Sequence, residues 1–410
     1  MNLKILHPCP QCGGEVSLEE TDRMLACPYC RVRLHMTSEG PFRYALNVEK
    51  PQGELIYLPY WRFKGIIYRA VAFKIDPQIL DATMLALSGI GAPRSLGLRP
   101  QTLPTKFALR TLPGAFSKPD MVFDKALVQI EKQVATIKKP EEEYEKAYIG
   151  ETASLVFAPY YLNKNTLVDA ILNKPLGNMP DSAVSAINST LVKSPNWEPR
   201  FLSAMCPYCG WDLKGDKQAC IFVCGGCRTA WQPKGTQFKQ VAVGTIVGEG
   251  EHVVYLPFWR IEPEVEGMEL SSLADLIRIA NIPKAVQPGW DQIPFVFWIP
   301  AFKVHPHLFL RISRQVTTSP FTGEIETVTP PSQTHAVNLP LAEAVQSLKV
   351  VLATFGKPHR TVFQRLPRIN IKPKKAMLVF APCVVQGSEL VAQELGFAVS
   401  RQALIAGKDL

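Results

Sequence analysis

The chain has 410 residues, 47% of them apolar and 20% charged, a balance that excludes intrinsic disorder and suits two folded domains rather than one core. Its 35 Pro and 26 Gly favour many short elements joined by turns, hence a β-rich chain over a helical bundle. The net charge of +9 is shared almost evenly between the halves, so neither half is a basic tail.

The start, "MNLKILHPCPQC", has no apolar stretch of the kind that opens a secretory signal. The longest apolar runs, such as "FVFWIPAF" at 295–302, fall short of the roughly 20 residues that span a bilayer. No lipidation signal stands at either end, and the expected location is the cytoplasm, with no transmembrane segment.

Residues 1–40 carry Cys9-Pro-Gln-Cys12, then fourteen residues, then Cys27-Pro-Tyr-Cys30. Two residues between thiols let one tight turn aim both sulfurs at one ion, and two such turns supply four ligands. Pro10 presets the backbone after the first ligand, and Gly13 follows the second, where a positive φ is cheapest without a Cβ. Between the pairs, "EVSL" and "RMLA" read as the two strands of a ribbon. His7 and His35 flank the site but are not needed once four sulfurs complete it.

Residues 41–175 read as an α+β unit. The phrase "YLPYWRF" at 57–63 puts Tyr57, Pro59, Trp61 and Phe63 on one strand face and Leu58, Tyr60 and Arg62 on the other. Pro within it suggests an edge or a bulge. It reads as a core anchor holding the ribbon to its domain; the rival reading is an aromatic shelf that stacks planar ligands. Residues 77–88 and 120–138 show apolar spacing for helices, the second with Asp120 as N-cap. "IIYRAVAF" and "LVFAP" read as strands, and residues 176–203 as a linker.

Residues 204–236 repeat the ribbon: Cys206-Pro-Tyr-Cys209, fourteen residues, then Cys224-Gly-Gly-Cys227, with "WDLK" and "CIFV" as strands. The phrase returns as "YLPFWRI" at 255–261 within a second α+β unit, 237–410. Further parallels keep the same order: 98–116 with 286–302, and "LVFAPYYLNKNTLVDAIL" at 155–172 with "LVFAPCVVQGSELVAQEL" at 378–395. Helices are expected at 270–280 and 339–355. The spacing therefore predicts two copies of one ribbon-plus-module unit.

The second copy has an insertion near 303–337, read as strand, turn and strand, whose His305 and His307 alternate onto one face; a metal-ligand role competes, but with no third candidate nearby they read as ordinary strand residues. Lys357, Arg360, Arg365, Arg368, Lys372, Lys374 and Lys375 form an acid-free stretch at 357–375 suited to phosphate or an acidic partner, or simply solvated. Cys220 and Cys383 lie in apolar runs and read as small hydrophobes, with Cys220 as a rival to Cys224 for the ligand position.

The paired C-x-x-C turns resemble the zinc-ribbon, or rubredoxin-like, family over about 22 residues at each site. The resemblance implies one structural zinc at Cys9, Cys12, Cys27 and Cys30 and a second at Cys206, Cys209, Cys224 and Cys227, two per chain, with iron as the minor alternative. Arg31 and Arg228 stand where the family has a small residue, which would weaken the N–H to sulfur geometry of the second turns. "CPYC" is also a redox-pair spelling, but each copy here has a partner pair close by, which favours metal over redox chemistry. The chain further resembles uncharacterised bacterial zinc-ribbon proteins with a PFW-type phrase after the ribbon, a likeness that brings no activity with it. No Gly-rich phosphate loop, H-E-x-x-H or nucleophile elbow is present, so catalysis is not expected. The leading expectation is a zinc-binding scaffold or adaptor with protein partners; the alternative is nucleic-acid binding through the ribbons and the 357–375 segment.

Overall fold

In the computed structural model the described residues are 3–135, 142–248, 253–280, 285–319, 321, 323–329, 333–355 and 359–407. Strands predominate and helices are short, an α+β chain. Two compact units divide it: residues 1–64, 80–140 and 151–203 form the first, and 65–79, 141–150 and 204–410 the second. Among the described residues no helix is long and apolar enough to cross a membrane.

In the first unit each C-x-x-C turn closes its own hairpin. Lys4–Pro8 pairs with Glu15–Glu19, and Met24–Ala26 pairs with Arg33–Thr37. The expected pairing of "EVSL" with "RMLA" is therefore replaced. The cause is the N-terminal run, whose Ile5 lies opposite Leu18 and buries with it. Residues 176–203, read as a linker, carry the helix Asp181–Thr190, with Ala183 and Ile187 buried, and the strand Arg200–Ser203. That strand pairs with Arg33–Thr37.

The first phrase lies in the strand Ile56–Val71, between Ala115–Ser117 and Glu143–Asn163 in an eleven-stranded sheet. The second lies in Val253–Glu266, between Phe297–Pro300 and Asn370–Gln386 in a seven-stranded sheet. Both faces are buried: Leu58, Tyr60, Arg62 and Phe63 in one, Leu256, Phe258 and Trp259 in the other. The phrase is core, not a ligand shelf.

Its proline does not mark an edge. The Pro59 carbonyl accepts from Ala86 N at 2.9 Å, and the Pro257 carbonyl from Ala301 N at 3.0 Å. On that side the neighbouring strand, Lys74–Leu85 or Phe297–Pro300, ends one residue before the alanine, so a missing N–H disrupts no ladder.

The same alanines then accept in turn. Ala86 O takes Asp120 N and Met121 N at 3.0 and 3.2 Å; Ala301 O takes Asn338 N and Leu339 N at 3.1 Å each. The Trp61 indole donates to Met121 O at 2.7 Å, and the Trp259 indole to Leu339 O at 2.9 Å. Two residues beyond each of these carbonyls a helix begins, Phe123–Ala135 in one unit and Leu341–Gln346 in the other.

Asp120 is therefore not an N-cap. Its carboxylate accepts from Ser88 N at 3.0 Å, as the Asn338 side chain accepts from Lys303 N at 2.7 Å. The helix expected over 339–355 is broken at Ser347 into Leu341–Gln346 and Leu348–Ala353. The one expected over 270–280 forms at Leu273–Ile279, closed by a Ser272–Asp275 capping box.

Strand registers run alike in the two units. Leu155, Val156 and Phe157 lie parallel to Arg43, Tyr44 and Ala45, as Leu378, Val379 and Phe380 lie to Val243, Gly244 and Thr245. Tyr161 faces Val168 and Leu162 faces Leu167; Val384 faces Val391 and Val385 faces Leu390.

Two segments take the other secondary structure. Residues 77–85 form the end of the strand Lys74–Leu85 and 86–88 a bend, because pairing with Ile56–Val71 outweighs a helical apolar spacing. The expected strand at "LFLRIS" is the helix Pro306–Thr318, with Pro306 in its first turn and Phe309, Ile312, Ser313 and Val316 buried. His305 and His307 are exposed at its start, their rings stacked 5.6 Å apart, and no third ligand group joins them among the described residues.

One buried charge network ties the first ribbon to its sheet. Arg62 is fully buried; Nη1 pairs with Glu20, and Nε and Nη2 donate to Asp81 at 2.9 and 2.8 Å. Glu20 also accepts from Ser154 Oγ at 2.7 Å. Burial works against the guanidinium charge, but Glu20 and then Asp81 outweigh it and hold the pKa above its usual value. Arg260, at the same place in the second phrase, is only half-buried, and burial lowers its pKa against the pull of Glu262. Arg62→Met should leave two carboxylates without their cation and cost about 3–5 kcal/mol. Arg260→Met should cost about 1 kcal/mol or less, and thermal unfolding of the two variants side by side measures the difference.

Candidate metal centres

Each centre is built from two turns with a shared backbone pattern. Cys9 N donates to Gly14 O and Gly13 N to Cys9 O, both at 2.8 Å; Cys27 N donates to Val32 O and Arg31 N to Cys27 O. The second centre repeats these bonds as Cys206 N to Trp211 O, Gly210 N to Cys206 O, Cys224 N to Thr229 O and Arg228 N to Cys224 O. Each turn needs one residue at positive φ. Gly13 and Gly210 take φ 74° and 73°, and Arg31 and Arg228 reach 62° and 56° despite carrying a Cβ. The arginines nonetheless keep their turns closed, Arg31 N donating to Cys27 O and Arg228 N to Cys224 O at 3.1 Å each.

The sulfurs converge. Cys9 Sγ lies 3.8 Å from Cys30 Sγ and Cys12 Sγ 3.6 Å from Cys27 Sγ; the second centre has 3.6 Å for Cys206 to Cys227 and 3.4 Å for Cys209 to Cys224. All four ligand atoms of each group lie within 4.8 Å of one another. A tetrahedral ion with metal–sulfur bonds of about 2.3 Å needs edges of about 3.8 Å. The residues present fit such an ion, and each quartet could hold one.

The electrostatics also ask for a cation. Burial raises the cost of charge on Cys27, yet the N–H groups of Cys30 and Tyr29 and the neighbouring thiols bring its pKa down to about 6. Cys30 receives a favourable N–H bond from Val32, but burial and the thiols of Cys12, Cys27 and Cys9 push it up to about 12. The second centre shows the same division. Cys206 is brought to about 6 against burial, chiefly by the N–H groups of Cys209 and Tyr208, and Cys224 is pushed to about 12, chiefly by burial. Four thiolates cannot share this space without a cation between them, so binding releases protons.

Nearby side chains that might compete do not join. His7 packs between Phe107 and Phe201, and burial lowers its pKa; burial, then Arg23, brings His35 down to about 4. Cys220 donates its N–H to Val337 O and stands outside the quartet, and Cys383 is buried with its thiol pushed up to about 12 by desolvation. Among the described residues no other group of three or more His, Cys, Asp or Glu is placed to hold an ion.

One feature of the centres escaped the sequence reading. In the first, the ring of Tyr29, from the second turn, covers Gly14, just past the first; a Cβ on Gly14 would meet Tyr29 Cδ2 at 2.5 Å. In the second the partners are exchanged: Trp211 takes the place of that glycine and covers Gly226, where the tyrosine would be, with a Cβ there 3.3 Å from the indole. Each centre thus pairs one aromatic ring with one glycine across its two turns, in opposite directions. The signal was present in "CGG" and "CPYC" against "CGW" and "CGGC".

The basic segment does not form one free surface. Arg360 and Arg365 lie on the helix His359–Arg365, and Arg368 ends the following 3₁₀ turn. Arg360 sits over the Phe73 ring at 5.8 Å. On the strand Asn370–Gln386, Lys372 pairs with Glu266 at 3.6 Å, and Lys374 and Lys375 pair with Glu262 at 3.2 and 3.9 Å. Lys357 falls outside the described residues.

The geometry defines a protein with two four-thiolate sites, each capable of holding a metal ion. Comparison with family models, with curated proteins and with solved structures returns no match to this chain.

Cys9→Ser and Cys206→Ser should each remove one bound ion and leave the other, as counted by elemental analysis of the purified variants. Gly14→Ala should lower the thermal stability by about 1–3 kcal/mol through overlap with Tyr29. Adding Tyr29→Ala in the same chain should recover part of that loss.

Proposed function

We propose that the protein is a non-catalytic zinc-binding scaffold whose two structural zinc ribbons hold partner proteins. One observation carries this reading: all four positions around each centre are taken by the chain's own sulfurs, which leaves no open position for substrate. Zinc fits because four thiolates in a tetrahedron suit a dication with no geometric preference of its own.

The two ribbon-plus-module units descend, on this proposal, from one duplicated ancestor. Support comes from the shared strand registers, the repeated Trp-to-carbonyl bond and the matching turn bonds at both centres. Duplication would give a chain two related binding faces without new folding problems.

A protein partner is favoured by what the turns expose. Met205, Tyr208 and Trp211 are 53%, 79% and 62% exposed at the second centre, and Tyr29 is 68% exposed at the first. Aromatic and methionine side chains held on a rigid knob are the groups that anchor protein interfaces.

Elemental analysis should find two zinc ions per chain; iron, or a single ion, would overturn the metal assignment. Gentle lysis and size-exclusion of the native protein should yield a complex of fixed stoichiometry that Tyr208→Ala weakens. A chain that elutes alone at native concentration counts against the scaffold. A steep loss of binding to unrelated DNA or RNA with rising salt would favour nucleic acid instead.

A further inference from the structure

The two centres share their backbone but not their surroundings. At the second, Thr229 Oγ1 lies 2.9 Å from Cys227 Sγ and accepts from the Trp231 indole at 2.8 Å. A metal-bound thiolate has no proton to give, so in the loaded centre the hydroxyl is the donor and its proton is directed at the sulfur. The same turn carries a second device. The Lys214 side chain crosses over Gly225: a Cβ there would lie 3.1 Å from Lys214 Cε and 3.3 Å from Nζ. An ammonium group therefore rests against the turn that bears Cys224 and Cys227.

The first centre has none of these groups at the matching positions. Val32 stands for Thr229, Leu34 for Trp231, Ser17 for Lys214, and Pro28 for the Gly225 that gives the lysine room. Exposure differs in the same sense. Cys12 and Cys30 are both exposed at the first centre; at the second Cys209 is exposed and Cys227 only half-buried.

Four thiolates around a dication carry net negative charge. A hydroxyl proton on one sulfur and an ammonium against the turn draw off electron density and make the sulfurs poorer nucleophiles. We propose that the first centre is a thiol-modification site, taking soft electrophiles such as α,β-unsaturated carbonyl compounds at Cys12 and Cys30, while the second is a permanent clasp.

In that step a thiolate lone pair forms the bond to the β-carbon of the acceptor, and the sulfur–metal bond breaks. The α-carbon takes a proton from water. The resulting thioether is a poor ligand, so the ion leaves with the remaining thiols free to follow. The inference rests on the metal reading above, and the two are separable: ions counted before any reagent is added judge the metal, and the order of their loss judges this proposal.

The test uses the full-length metal-loaded chain and stepwise N-ethylmaleimide. A chromogenic chelator follows ion release, and peptide mass spectrometry locates the label. The first ion should leave with label on Cys12 or Cys30, and the second about tenfold or more slowly. Thr229→Val should bring the second centre to within a few-fold of the first, while Thr229→Ser, which keeps the hydroxyl, should stay slow. Lys214→Gln gives an independent reading should Thr229→Val fail to hold its ion, and it too should speed the second release. Both ions leaving at one rate, label appearing first on Cys209 or Cys227, or Thr229→Val and Lys214→Gln both reacting as slowly as the parent chain would overturn the proposal.

Discussion

An indole N–H in the middle of each phrase strand, buried at Trp259 and half-buried at Trp61, takes a loop carbonyl as its acceptor, and much of each module follows from where it finds one. The carbonyls that serve, Met121 O and Leu339 O, belong to loops that could otherwise take many paths. Bonding to the tryptophan fixes each loop two residues before a helix, and so fixes where that helix starts against the sheet. The alanine carbonyl beside it, Ala86 or Ala301, gathers the neighbouring N–H groups of the same loop. An unmade bond at such a depth costs about 1–3 kcal/mol, enough to select one loop path over others. The twice-written phrase is thus a device for joining strand, loop and helix.

The modules diverge in how they secure their ribbons. In the first, Arg62 crosses from the phrase strand to Glu20 between the two hairpins, Asp81 takes its other N–H groups, and Ser154 donates to Glu20. Such a charge network tolerates few alternatives, because loss of Arg62 leaves Glu20 buried without its cation. The second unit uses backbone and carbonyl contacts instead: Cys220 N bonds to Val337 O, and the Arg228 guanidinium and Thr329 exchange bonds across the ribbon edge. Tyr60 and Tyr160 share a hydroxyl contact at 2.9 Å, whereas Phe258 and Cys383 stand apolar in the second phrase strand and its neighbour.

The sulfur quartets and the strand character of the phrase were legible because they are local. A C-x-x-C turn and an alternating aromatic run contain most of the information they need within a few residues. Residues 77–88 and 306–318 were misread for the opposite reason. Short apolar runs fit both periods, and only pairing with a distant strand, or Pro306 opening a helix over a buried face, decides between them. Arg62 carried no sign of burial, since its partners Glu20 and Asp81 lie far off in sequence. The exchange of Asp120 from cap to loop clamp was hidden likewise, because its partner, Ser88, belongs to another element.

The crossed aromatic and glycine at the two centres constrain how such turns can evolve. Each arrangement works as a pair, Tyr29 over Gly14 or Trp211 over Gly226. An intermediate with two rings would crowd the turns, and one with two glycines would leave both bare. The two positions are sterically coupled: a side chain added at Gly14 or Gly226 meets the ring that lies over it, so what one position admits is set by what stands at the other.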